Sequence, residues 1–196
     1  MIPESGLRPR KKDILEKAAR LFLERGYKAT SVRDIAFATG IEASSLYSHF
    51  PSKESILELL CHECADRFNV AMDEILTDTT GNDLIRIKQV LEFHIDTAFE
   101  DPMSGTLFSD EWKNLPEDKK VSYLEKKRNY ENKFSGLLAA LMEKGLIAKG
   151  DPTIKMNTLI SSVRWLHHSK KKYTAEEKTA IKKEILDMLT HGLLIK

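Results

Sequence analysis

Between Ala43 and Lys53 the sequence ASSLYSHFPSK gathers Ser44, Ser45, Tyr47, Ser48 and His49 into two helical turns, with only Ile41, Leu46 and Phe50 as apolar anchors. Leu46 and Phe50, four residues apart, share one helix face and dock it, so the remaining side chains face outward. Small hydroxyls allow a helix to approach phosphates and base edges closely, and Tyr47 and His49 can donate to phosphate oxygens. The same composition also suits a polar surface helix with nothing to recognise, so the flanking elements must decide.

The other reactive groups form weaker patterns. Cys61, His62 and Cys64 include a Cys-x-x-Cys spacing, but the chain has no further cysteine to complete a tetrahedral site, and both sulfurs fall on the apolar face of a helix. They read as core residues. His167, His168 and His191 contain ligand atoms, yet the first two run into Lys170, Lys171 and Lys172, as at a helix C-terminus where cations suit the dipole. No Gly-rich phosphate loop, nucleophile elbow or His-Glu-x-x-His pattern occurs, and the carboxylates follow solvent-facing stripes. The reading is therefore not an enzyme, with no metal and no cofactor.

The elements that would position these groups are helices almost throughout. From Lys12 onward, Ile14, Leu15, Ala18, Ala19, Leu21 and Phe22 repeat at three-four spacing, and Gly26 stops that helix. Ser31 and Asp34 make a capping-box-like start to a short second helix that ends at Gly40. A third runs from Ala43 to Phe50, because Pro51 disfavours helical geometry in the residue before it. A fourth follows Ser52, with Leu57, Leu60, Cys61, Cys64, Phe68, Ala71, Met72 and Ile75 on one face. Further helices are expected over Asp83 to Glu100, around Trp112, from Pro116 to Lys144, from Pro152 to about Ser169, and from Thr174 with Glu177 nearly to Lys196. No strand alternation or internal repeat appears. The fold class is all-α, with about nine helices.

A chain of 196 residues with 41 % hydrophobic and 31 % charged residues can bury a sizeable core. The net charge is +1, but residues 1–53 carry +4 and the remainder −3. Arg8, Arg10, Lys11 and Lys12 precede the first periodic stretch and read either as a short arm to a phosphate or minor groove or as a solvated tail. The N-terminus lacks a signal-type apolar run and no later stretch is long enough to span a membrane, so the expected location is cytoplasmic, with no membrane partner.

The stretch from Ile14 to Leu57, "LFLERGYKATSV" followed by "RDIAFATGIEASSLYSHFPSKESIL", closely resembles the DNA-binding region of the TetR family of bacterial transcriptional regulators, with Phe22, Gly26, Tyr27, Gly40, Leu46, Tyr47, Phe50 and Lys53 as landmarks. The resemblance implies a helix-turn-helix in which Ala43, Ser44 and Ser45 face the bases, and Tyr47, Ser48 and His49 meet backbone or base edges. It also implies that Lys53 contacts a phosphate and that Ser31 and Arg33 approach phosphate from the second helix. With Ala, Ser and Ser at the reading positions, the chain lacks the Arg, Gln or Asn side chains that make bidentate base contacts. Specificity would then come from Arg33, thymine methyl contacts or DNA shape.

The resemblance further implies double-stranded operator DNA as partner, a homodimer through the last two helices, and a small-molecule effector. Met156, Leu159, Ile160, Val163 and Leu166 form one stripe of the penultimate helix, and Thr158, Ser161, Ser162 and Trp165 a second. In the last helix Ile181, Ile185, Met188, Leu189 and Leu193 repeat as a dimer seam requires. Phe93, His94, Phe99, Phe108, Trp112, Tyr123, Tyr130, Phe134 and Met142 are candidates for an effector pocket, although for any single one of them ordinary core packing is the simpler role. Arg164 beside Trp165 is the one charge from Met156 to Ser169, counting histidine as neutral, and would need either an internal carboxylate or an anionic ligand. An Arg-Trp pair late in the chain weakly resembles family members that respond to acyl-CoA thioesters. The expected organisation is a DNA-binding domain over residues 1–53, with the fourth helix as connector, and a ligand-binding and dimerisation domain over 54–196. The competing reading is a helical interaction protein, or a regulator without a small-molecule effector.

Overall fold

A computed structural model of the chain describes residues 8–78, 82–169 and 171–193, with the side chain of Leu193 outside that set. Among these residues the structure is all-helical: nine α-helices and two short 3-10 turns. The helices group into two compact units, one running up to Asp66 and taking in Thr106–Lys126, the other comprising Arg67–Gly105 and the chain from Lys127 onward.

In the first unit, α1 (Pro9–Arg25), α2 (Val32–Thr39) and α3 (Ala43–His49) lead into α4 (Lys53–Thr77). Ile14, Leu15, Ala18 and Phe22 of α1 pack with Ile35 and Ala36 of α2, Leu46 and Phe50 around α3, and Ile56 and Leu57 of α4 as the buried set. The α1 helix starts three residues earlier than the apolar periodicity, because Pro9 fits its first turn, where no N–H is needed. Arg10, Lys11 and Lys12 are therefore helical and do not form an arm: Arg10 donates to the Thr39 carbonyl at the end of α2 (3.0 Å), and the Lys11 ammonium lies 5.4 Å from the Phe50 ring centroid. The turn between α2 and α3 depends on Gly40, whose φ of 65° lies in the left-handed region.

In the second unit, α5 (Asp83–Glu100) packs against α8 (Pro152–Arg164) and α9 (Ala175–Leu193). A helix absent from the sequence-based expectation, α6 (Pro102–Ser109), lies between α5 and the turn that contains Trp112. Asp101 starts it by accepting from Ser104 Oγ (2.7 Å), and Pro102 occupies its first turn. A 3-10 turn over Glu111–Asn114 precedes α7 (Glu117–Glu143). The α8 helix ends at Arg164 rather than near Ser169, and Trp165–His168 continue as a 3-10 turn. Thr174 and Glu177 form the expected reciprocal cap of α9, Glu177 accepting from Thr174 N (2.9 Å) and donating to Thr174 Oγ1 (3.2 Å). Among the described residues no helix is long and apolar enough to cross a membrane.

Candidate nucleic-acid interface and effector residues

The α3 helix is docked by little and exposed over the rest. Leu46 is 0 % exposed and Phe50 is buried, whereas Ser44, Ser45 and Ser48 are exposed and Tyr47 is 52 % exposed; Ala43 and His49 are half-buried. Ser48 Oγ donates to the Ser45 carbonyl (2.7 Å), so its hydroxyl keeps only acceptor capacity for an incoming group. Ser44, Ser45 and Tyr47 thus present the hydroxyls of this surface.

Beside it, Ser31 and Asp34 complete a capping box at the start of α2. Ser31 Oγ accepts from Asp34 N (3.1 Å) and donates to Asp34 Oδ2 (2.5 Å), and Asp34 also accepts from Ser31 N (2.8 Å). These bonds from Ser31 hold the Asp34 carboxyl below its usual range, with Arg25 contributing. The hydroxyl of Ser31 is consequently spent on shaping α2. Arg33, two residues on, is exposed. Phe37, one turn beyond Arg33 on the same helix face, is 89 % exposed, and nothing in the sequence pattern singles it out.

Lys53, for which the resemblance implies a phosphate contact, opens α4 with its ammonium turned toward the α1–α2 turn. Its Nζ donates to the carbonyls of Tyr27 (2.9 Å) and Thr30 (2.8 Å) and stands 4.0 Å from the Tyr27 ring centroid. The Tyr27 hydroxyl donates in turn to Glu54 Oε1 (3.1 Å), and burial together with that carboxylate pushes the phenol well above its ordinary pKa. Tyr27 also packs edge-on against Phe22 with centroids 5.2 Å apart.

The candidate effector residues separate into three places. His94 Nε2 and the Tyr130 hydroxyl share a hydrogen bond of 2.6 Å, both are buried, and Phe68 packs edge-on against each. Phe93 also contacts His94 and Phe68, and Phe134 is buried in the same unit. Burial pushes His94 down to about 3, with nearby His167 adding to the shift. Trp112 and Tyr123 are not part of this group: they stack on each other in the first unit (5.7 Å), and Tyr123 donates to the Phe108 carbonyl (2.8 Å). Arg164 and Trp165 lie at the end of α8, which buries Met156, Leu159 and Val163; Arg164 is exposed and Trp165 is 50 % exposed.

In α9 the buried residues are Ile185 and Leu186, Leu189 is half-buried, and Met188 is exposed. His167, which the sequence suggests as a metal ligand or, more simply, as part of a polar helix end, is buried, its ring donating to the Pro102 carbonyl while Nδ1 has no hydrogen-bond partner. Burial, then His168, lowers it to about 4. Its ring lies so close to Gly105 that a Cβ there would fall 1.9 Å from Cε1. Cys61 and Cys64 are both buried.

Comparison with known proteins gives a consistent result. The family profile of bacterial regulatory proteins of the tetR type matches residues 14–60, and that of the tetracyclin repressor-like C-terminal domain matches residues 81–193. The HTH-type transcriptional repressor KstR2 of Rhodococcus jostii is 34 % identical over 146 residues, covering 72 % of this chain and 69 % of the relative. KstR2 of Mycobacterium tuberculosis is 33 % identical over 124 residues, or 63 % of this chain, and the match spans 62 % of that relative's length. The solved structure of the latter, described as a ketosteroid transcriptional regulator, superposes with a TM-score of 0.89 over 100 % of both chains at 22 % identity. AibR, solved in complex with isovaleryl coenzyme A and operator DNA, superposes with a TM-score of 0.82 over 94 % of this chain and 98 % of its own, at 23 % identity. At those identities the two superpositions establish the fold.

Proposed function

Because the chain belongs to the TetR family of bacterial regulatory proteins, whose members are transcriptional regulators and not enzymes, we propose that it is a homodimeric repressor that binds a palindromic operator and is released by a small anionic effector. The observation that carries the DNA reading is α3 itself: a helix docked through Leu46 with Ser44, Ser45 and Tyr47 presented outward, beside the exposed Arg33. Two such helices would enter successive major grooves, roughly 34 to 36 Å apart. In this reading residues 1–53 carry the DNA surface and 54–196 the effector site and dimer seam, and the protein works in the cytoplasm.

The exposed second stripe of α8, Thr158, Ser161 and Trp165, and the exposed Met188 of α9 are the faces available to a second copy. The effector class follows AibR, whose complex contains an acyl-CoA together with operator DNA. Arg164 with Trp165 supplies a cation and a ring for an anionic, partly aromatic ligand, and the His94–Tyr130 pair supplies a buried polar group within apolar surroundings. A ligand seated among α5 and α8 that alters the course of α4 would lower DNA affinity by its differential affinity for the two states.

The test begins with selection of a site from a random duplex pool, followed by a thermal-shift screen of acyl-CoAs and the matching free acids. The expected outcome is a selected palindrome, released by an acyl-CoA and not by the free acid, with release lost in Arg164→Met. A protein that selects no duplex at low salt is instead a helical interaction protein, and one that selects a palindrome but ignores every acyl-CoA responds to another ligand class.

A further inference from the structure

The α1–α2 turn is gripped by the first two residues of α4. Lys53 binds the carbonyls of Tyr27 and Thr30 and covers the Tyr27 ring, while Glu54 holds the Tyr27 hydroxyl. An ammonium has three donors, and two are already spent on carbonyls, so one at most remains for a phosphate. Covalently, α3 reaches α4 only through Phe50, Pro51 and Ser52. Beyond that link the head meets α4 through apolar packing around Leu46, Phe50, Ile56 and Leu57, which is non-directional and does not by itself fix the angle between them.

The directed attachment supplied by Lys53 has a direct route to the reading helix. Thr30 is followed by Ser31, the N-cap of α2, and α2 continues through Gly40, Ile41 and Glu42 into α3. Thr30 is itself tied to the end of α1, its Oγ1 donating to the carbonyls of Leu21 (3.3 Å) and Gly26 (2.9 Å). We infer that Lys53 and Tyr27 are positioning residues for DNA reading, clipping the start of α4 to the α1–α2 turn so that α4 and the three-helix head turn as one piece. A displacement of α4 then changes the aim of α3 and is not absorbed at Pro51.

The inference rests on the duplex-binding reading above, and its experiment separates the two. If the parent selects no palindrome, that reading fails and the positioning role falls with it. If it does, affinities of the parent, Lys53→Met, Lys53→Arg and Tyr27→Phe are measured across a salt series, for the selected site and for the same site with one base pair added between its halves. A head loosened from α4 tolerates altered spacing. The ratio of the two affinities should fall about fivefold in Lys53→Met and about twofold in Tyr27→Phe, with Lys53→Arg close to the parent and all salt slopes unchanged. A salt slope reduced by about one unit at constant ratio makes Lys53 a phosphate contact and overturns the proposal. An unchanged ratio with an unchanged slope overturns it equally. Should Lys53→Met fail to fold, Tyr27→Phe, which removes a single hydroxyl, decides by the same ratio.

Discussion

The reading head and the packed face of α5 use similar residues in opposite ways. The head keeps Ser44, Ser45 and Tyr47 at its surface and anchors α3 through Leu46, so its polar groups cost little in the absence of DNA. The second unit buries His94, Tyr130 and His167 among aromatic and aliphatic side chains, where each polar atom must find a partner or carry a desolvation penalty. Polar residues serve contact in one region and tension in the other. A destabilising change should therefore be large in the second unit and small on the outward face of the first.

Acid tests this difference most strongly. His94 and His167 are held down to about 3 and about 4 by burial, against an ordinary value of 6.5. The unfolded chain binds more protons than the folded one between those limits, so stability rises with pH through this window and falls on acidification. From pH 6.5 to about 5, each histidine should remove about 2 kcal/mol, a steep loss for a protein of this size. Denaturant titrations at several pH values should show it, and His94→Gln should flatten the profile by about half. A profile equally steep after both histidines are replaced would place the acid sensitivity elsewhere.

Gly105 should rank next. A methyl at this position meets the His167 ring within van der Waals contact, and that ring is confined by burial, so Gly105→Ala should cost about 2 to 3 kcal/mol. Thermal melting reads it directly; a parent-like melting point would mean that the ring has room to withdraw. Tyr130→Phe strands His94 Nε2 in the core and should cost about 1 to 3 kcal/mol. In the head, by contrast, Ser31→Ala opens an exposed capping box and should cost only about 1 kcal/mol.

The same contrast explains what could be read from the sequence. Local rules governed the head: the Ser31–Asp34 box, Gly40, and the Leu46–Phe50 spacing are all short-range, and the structure forms each of them. The start of α1 was legible in Pro9, but basic residues disguised its first turn as an arm. The second unit depends on long-range packing. His94 and Tyr130 lie 36 residues apart, and no spacing rule pairs them. The α6 helix was hidden because Pro102 signals both a break and a first helical turn. The exposure of Arg164 could not be read from its helix either, because a stretch with a single charge gives no sign of which face Thr158, Ser161 and the half-exposed Trp165 leave uncovered. The inward turn of Lys53 could not be read at all, since its acceptors are backbone carbonyls.

The smallest stability effect belongs to Tyr47, and it is also the sharpest test of the comparison. Tyr47 is half exposed and lies off the buried Leu46 face of α3, so Tyr47→Ala removes surface without opening a cavity and should leave the stability within about 0.5 kcal/mol of the parent. Binding to the selected duplex should nonetheless weaken, because a hydroxyl aimed at a phosphate or base edge is worth most when that partner arrives. Arg33→Met supplies the ionic counterpart: a lost phosphate contact lowers the slope of log affinity against log salt by about one unit, whereas the uncharged Tyr47 change should shift affinity at every salt concentration by a similar factor. If Tyr47→Ala melts well below the parent, the tyrosine is structural and the head resembles the second unit after all. If stability and binding are both unchanged, the outward face of α3 is not where this protein meets DNA.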